Sequence, residues 1–144
     1  MALFGRKKTP ARRVRRKKQV KLEWEQDEFL QNQLNNLVNL LEFSHVNAKR
    51  VFCYRTTGSS ARAYARIWAF PKIFQEVLAV EPAYVIEVLS EKYDKLGPEE
   101  KTKVLIHELL HIPKNFSGSL LPHTYGNKQI HKEVERLYKE IRKI

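Results

Sequence analysis

The chain has 144 residues, a single cysteine, and 27 lysines and arginines against 16 acids, for a formal charge of +11. Its length predicts one domain with a modest core. No apolar run reaches the roughly 18 residues of a membrane-spanning helix, and a hydrophobic content of 42% excludes general disorder.

The charge is unevenly placed. Residues 1–22 hold ten cations and no acid, so 27 less 10 leaves 17 cations against 16 acids for the remainder. The sequence therefore divides into a basic, flexible tail over 1–21 and a nearly neutral domain over 22–144. The tail's cations, Arg12, Arg13, Arg15, Arg16, Lys17 and Lys18 among them, suit contact with phosphates, so nucleic acid or a ribosome is the partner it suggests. A solubilising arm or a localisation signal is the plainer reading. Past Phe4 the tail has no aromatic residue on which a base could stack. It lacks the apolar stretch of a secretory signal and the Ser-rich amphipathic pattern of a transit peptide. The lone Cys53 has no partner within the chain, which fits a reducing, cytoplasmic setting.

From Leu22 to Leu41, apolar residues three and four apart predict an amphipathic helix with an acidic first turn. Arg50–Arg55 reads as a strand, Thr56–Ser60 as a loop, and Tyr64–Phe70 as a second strand through the alternation of Tyr64, Arg66 and Trp68. Pro71 opens a short helix. Trp68, Phe70 and Phe74 read as core residues. Tyr84–Leu89 is the clearest strand, and Glu87 interrupts its apolar run as an inner strand or a functional face would. Gly97-Pro98 starts a helix whose most apolar part is Val104–Ile112, and Pro113 stops it. Lys114–Asn127 reads as a loop and Lys128–Ile144 as the last helix.

The chemistry lies in His107-Glu108-Leu109-Leu110-His111. On a helix, residues four apart share one face, so both imidazoles can reach one metal ion. Glu108, rotated by roughly 100°, can approach a metal-activated water without being a ligand. Zn²⁺ lowers the pKa of bound water to roughly 7, and a carboxylate can then remove its proton. A catalytic zinc needs a third protein ligand. His123, eleven residues past His111 across a turn at Ser117-Gly118, is the first choice. His131 is the second, and Cys53 is a thiolate donor in principle. Tyr125, Arg62 or Arg66 could stabilise the oxyanion formed by attack on a carbonyl; the plainer reading is a surface aromatic and solvated arginines.

The string Leu105-Ile-His-Glu-Leu-Leu-His-Ile-Pro113, followed by Phe116-Ser-Gly118 and Pro122-His123, resembles the phage and archaeal metallopeptidase family, related to the SprT-like zinc peptidases. Tyr84–Val88, Ser60-Ala-Arg62 and Arg66-Ile-Trp68 extend the likeness from about Trp24 to the C-terminus. The resemblance implies zinc on His107, His111 and His123, with Glu108 as general base for peptide-bond hydrolysis. Position 117 is Ser, where a metzincin would place its third histidine.

The expectation is thus a small α+β zincin-like domain: a roughly three-stranded sheet with the motif helix packed on it, acting on a peptide or protein substrate. The competing expectation is a nucleic-acid-associated binding module whose zinc is structural, closed by a fourth ligand from His131 or Cys53.

Overall fold

In the computed structural model, residues 18, 20–125 and 128–144 are described. The tail cations Arg12, Arg13, Arg15, Arg16 and Lys17 lie outside that set, and Lys18 is exposed. The fold is α+β. In chain order it runs β1 (Glu23–Gln26), α1 (Glu28–Leu40), a 3-10 turn at Ala48–Arg50, β2 (Val51–Thr57), β3 (Ala65–Trp68) and α2 (Lys72–Leu78). Then come β4 (Tyr84–Leu89), α3 (Ser90–Tyr93), α4 (Pro98–Leu110), β5 (Thr124–Tyr125), β6 (Lys128–Gln129) and α5 (Ile130–Ile141).

The main sheet has four strands rather than three, in the order β1-β2-β4-β3. The additional strand comes out of the expected first helix. Glu23-Trp24-Glu25-Gln26 pairs antiparallel with Tyr54–Thr57, and the helix begins only after Asp27. The Asp27 carboxylate accepts the Leu30 amide at 2.9 Å as the N-cap. Its other oxygen accepts from Arg55 of β2 at 3.0 Å, so one side chain ends the strand, starts the helix and ties both to the sheet. β2 and β4 run parallel, whereas β3 is antiparallel to β4. The strand order leaves β1 and β3 as the two edges of the sheet.

Alternation along the strands divides the sheet into two faces. Val51 and Cys53 of β2, Tyr84, Ile86 and Val88 of β4, and Ala65 of β3 are buried toward the helices. They pack with Leu30, Leu34 and Leu37 of α1, Leu105, Ile106 and Leu109 of α4, and Val134 and Leu137 of α5. The other face carries Trp24, Phe52, Tyr54, Arg66, Trp68, Val85 and Glu87. Trp68 and Phe74 are about half exposed, at 51% and 52%, so neither belongs to the core as expected. Phe70 is half-buried and contacts Phe74.

α4 begins with Pro98 in its first turn and an acidic pair, Glu99 and Glu100, at its positive end. It closes with His111 as the C-cap, two residues before Pro113. The last helix starts two residues later than expected, because Lys128 and Gln129 pair with Tyr125 and Thr124. Among the described residues no helix is long and apolar enough to cross a membrane.

Candidate metal centre

His107 and His111 project from the last turn and cap of α4, and the following loop returns His123 to them. The ring centroids are 5.1 Å apart for His107 and His111, 5.2 Å for His107 and His123, and 4.7 Å for His111 and His123. One ligand atom from each of the three lies within 4.8 Å of the other two, so the trio could hold one metal ion.

Main-chain contacts explain how that loop closes. The Leu121 amide donates to the His111 carbonyl at 2.7 Å, and the Ile130 amide donates to the His123 carbonyl at 3.1 Å. Further back, the loop is held against the sheet by Tyr84, whose hydroxyl accepts from the Gly118 amide and donates to the Ser119 carbonyl, both at 2.8 Å. Gly118 in turn offers its carbonyl to the Phe70 amide at 2.8 Å. Its φ of +92° is open to glycine, and a Cβ there would collide with the Phe70 carbonyl and the Gln75 amide. The Phe-Ser-Gly string therefore holds the loop against the end of β3 and the start of α2.

The protonation states suit metal binding. His111 Nδ1 sits 2.6 Å from the Leu121 carbonyl oxygen, which can only accept, so Nδ1 carries the proton. That leaves the Nε2 lone pair facing His107 Nε2 at 3.3 Å. A histidine ligand oriented by a carbonyl on its other nitrogen is the usual second layer of a metal site. Burial, followed by the neighbouring His111, His123 and His131, pushes the His107 imidazole down to about 4. Burial likewise lowers His111, against the Leu121 carbonyl. Both rings are thus neutral donors near pH 7, as a metal requires.

Glu108 is 7% exposed, on the α4 face turned toward β3. Burial pushes its carboxyl up to about 7, opposed by the Ile67 backbone N–H of β3. A carboxyl tuned toward neutrality beside a cluster of metal donors suits proton transfer. The residues open onto a cleft of about 820 Å³, walled by β3 and the residues before it, α4, Leu120–His123 and α5.

The remaining expected residues fall elsewhere. His131 lines this cleft but is exposed and is not one of the three grouped donors. Cys53 is buried in β2, and burial holds its thiol up at about 12, which makes it a poor ligand. Arg66 is one of the residues lining the cleft, but its guanidinium is bound to Glu87 on the outer sheet face. Arg62 is exposed and is not a cleft residue. The Tyr125 backbone pairs with Lys128 in β5, and its side chain lies outside what is described. Sequence reasoning missed the cleft wall at Ala63 and Tyr64, which carries no motif.

The family model described as "Putative phage metallopeptidase" matches residues 22–142. The chain belongs to this family. Membership implies a metal ion and a peptide or protein substrate, and the matched span includes the three histidines, Glu108 and every strand of the sheet. No match is found among curated proteins or among solved structures.

Proposed function

We propose that this metallopeptidase is zinc-dependent, with His107, His111 and His123 as ligands and Glu108 as general base. The observation that carries the reading is the convergence of three imidazole donors within 4.8 Å beside a buried carboxyl group. Three nitrogen donors with a coordination position left open are the donor set of catalytic zinc. A zinc ion there supplies Lewis acidity, which makes water a nucleophile near pH 7 and polarises a peptide carbonyl.

The chain's own groups do the rest. Glu108 takes a proton from the attacking water and passes it to the departing amine, which needs a carboxyl pKa near the working pH. Low solvent access around Glu108 keeps that proton from being lost to bulk water. β3 is an edge strand on the cleft wall, so an extended peptide can pair along its outer edge beside the histidines. Pairing of that kind binds main chain, and side-chain preference then falls to the cleft walls, where Lys103 stands among Glu99, Glu100 and Glu135. We assign this chemistry to a domain spanning 22–144, with residues 1–21 as an appended arm.

A structural zinc closed by a fourth protein ligand fits less well, because Cys53 is sequestered in the core and His131 stands outside the group. The test is metal analysis of purified protein with hydrolysis of an unfolded protein substrate, in the parent chain and in Glu108→Gln. About one zinc per chain in both, with hydrolysis only in the parent, is the expected result. Equal hydrolysis by the two proteins, or no bound metal in the parent, overturns the proposal.

A further inference from the structure

A strand added to a sheet shares its pleat, so its successive side chains leave on opposite faces. A substrate paired along β3 therefore sends only half of its side chains into the metal cleft. The other half emerge on the sheet face turned away from the helices.

β3 shows what each half meets. Ala65 is buried and Ile67 packs against the core, so these two share the side of α4, Glu108 and the histidines. Arg66 and Trp68 alternate with them and stand on the outer face, where both donate to the Glu87 carboxylate. Among the described residues, β4 is the one strand that pairs with β3. Past Trp68 the chain is engaged by the loop that carries His123, since the Phe70 amide donates to the Gly118 carbonyl at 2.8 Å. The run left to a substrate is Ala65–Trp68, with Arg66 and Trp68 as its two outward neighbours.

Those neighbours are not equivalent. The Arg66 guanidinium is held by Glu87, and the pair is neutral. Trp68 is 51% exposed, although its indole N–H is already donated to Glu87 at 3.3 Å. What the ring offers a newcomer is apolar surface with no polar group left to satisfy. Val85 of β4 and Phe52 of β2 continue that surface along an open groove. Glu87 is the one charged residue among those lining the groove, and Arg66 holds it, so a charged substrate side chain finds no free partner there. Facing side chains on adjacent strands have Cβ atoms about 5 Å apart, close enough for a large side chain to lie on the ring.

We propose that Trp68 is a specificity-determining residue of this peptidase, receiving a large apolar side chain from the substrate residue that faces it across the edge of β3. The proposal rests on the edge-strand reading of substrate binding given above. It names a substrate class: extended, unfolded segments with a large apolar residue at one fixed position relative to the cleaved bond. That position is read outside the cleft, on the far side of the sheet from the histidines.

Cleavage sites in an unfolded protein, mapped by mass spectrometry of the released peptides, report the preference directly. The parent is expected to show large apolar residues enriched at one position relative to the cut. Trp68→Ala is expected to lose that enrichment and keep the preferences at other positions, while Trp68→Phe retains it because a ring remains. Trp24→Ala is the control. Trp24 donates to the same carboxylate from β1, the opposite edge of the sheet, so its loss is expected to leave the pattern unchanged. On a peptide with phenylalanine at the selected position, Trp68→Ala is expected to raise KM about five-fold with kcat unchanged.

Binding without turnover separates this subsite from the catalytic reading. A labelled peptide of about ten residues, alternating threonine and phenylalanine, is titrated by anisotropy into full-length Glu108→Gln. It is expected to bind about five-fold more tightly there than to the same chain carrying Trp68→Ala as well, whereas a threonine–alanine peptide binds both alike. That pattern in a protein whose parent hydrolyses nothing removes the catalytic reading and leaves the subsite standing. Hydrolysis with the same cleavage sites in parent and Trp68→Ala overturns the subsite and leaves catalysis standing. Equal shifts in Trp68→Ala and Trp24→Ala, or binding of neither peptide, also overturn the subsite.

Discussion

Two buried glutamates stand on either side of β3, and they are treated in opposite ways. Glu87, beneath Arg66, receives two indole N–H groups, a threonine hydroxyl and a guanidinium. Burial raises its pKa, but the hydrogen bonds from Arg66, Thr56 and Trp68 outweigh it and hold the carboxyl below its ordinary 4.5. Glu108, beneath the neighbouring residue Ile67, is pushed up to about 7 by burial, with the Ile67 amide opposing. Burial is common to both, so it does not decide the charge. The donors do. One carboxylate is locked as an anion that arranges its surroundings, and the other is left able to gain and lose a proton.

The comparison can be broken by substituting each member. Glu108→Gln is expected to lower hydrolysis by about 10²- to 10⁴-fold, the usual range for a general base, without lowering the melting temperature. Glu87→Gln is expected to do the reverse, leaving turnover intact while costing about 2 kcal/mol, because charge-assisted hydrogen bonds around it are lost. Steady-state rates and urea unfolding on the same pair of proteins check both statements.

Gly118→Ala tests the loop between these regions. It forces a Cβ into the Phe70 carbonyl at a positive φ, and should cost about 2 kcal/mol while weakening metal retention against a chelator.

The pH response of Glu87 follows from its lowered pKa. The folded value lies below the unfolded one, so its contribution is full above about 4.5 and is lost as pH falls through the folded value. Unfolding midpoints measured from pH 6 down to pH 3 should fall less steeply in Glu87→Gln than in the parent.

The smallest effect belongs to Tyr84→Phe. It strands the buried Gly118 amide for about 1 kcal/mol and leaves the glycine's own conformation intact. A loss larger than that of Gly118→Ala would show that the hydroxyl, rather than the turn, holds the loop.

How far the sequence foretold these regions differs between them. The histidine cluster is legible because its signals are local: a capped helix, two histidines four apart, a proline stop and a short return to His123. The first strand was hidden because Glu23–Gln26 is only four residues long, and its acids equally suit the start of the helix that follows. Asp27 decides the matter through Arg55, a contact 28 residues away. The aromatic face was misread for a different reason. Alternation around Ile67 and Trp68 shows that they point to opposite sides, but not which side the helices cover. Trp68, the larger residue, reads as core from the sequence, whereas α4 packs on the side of Ile67.

The hydrogen bond from His111 Nδ1 to the Leu121 carbonyl has a wider consequence. The loop that carries His123 also sets the tautomer of His111, through the Leu121 carbonyl two residues before His123. Two of the three candidate donors, His111 and His123, are therefore not independent appointments but a single conformational event. Metal affinity becomes a readout of loop closure, so anything that loosens Phe116-Ser117-Gly118 from the sheet acts at a distance as a chelator would.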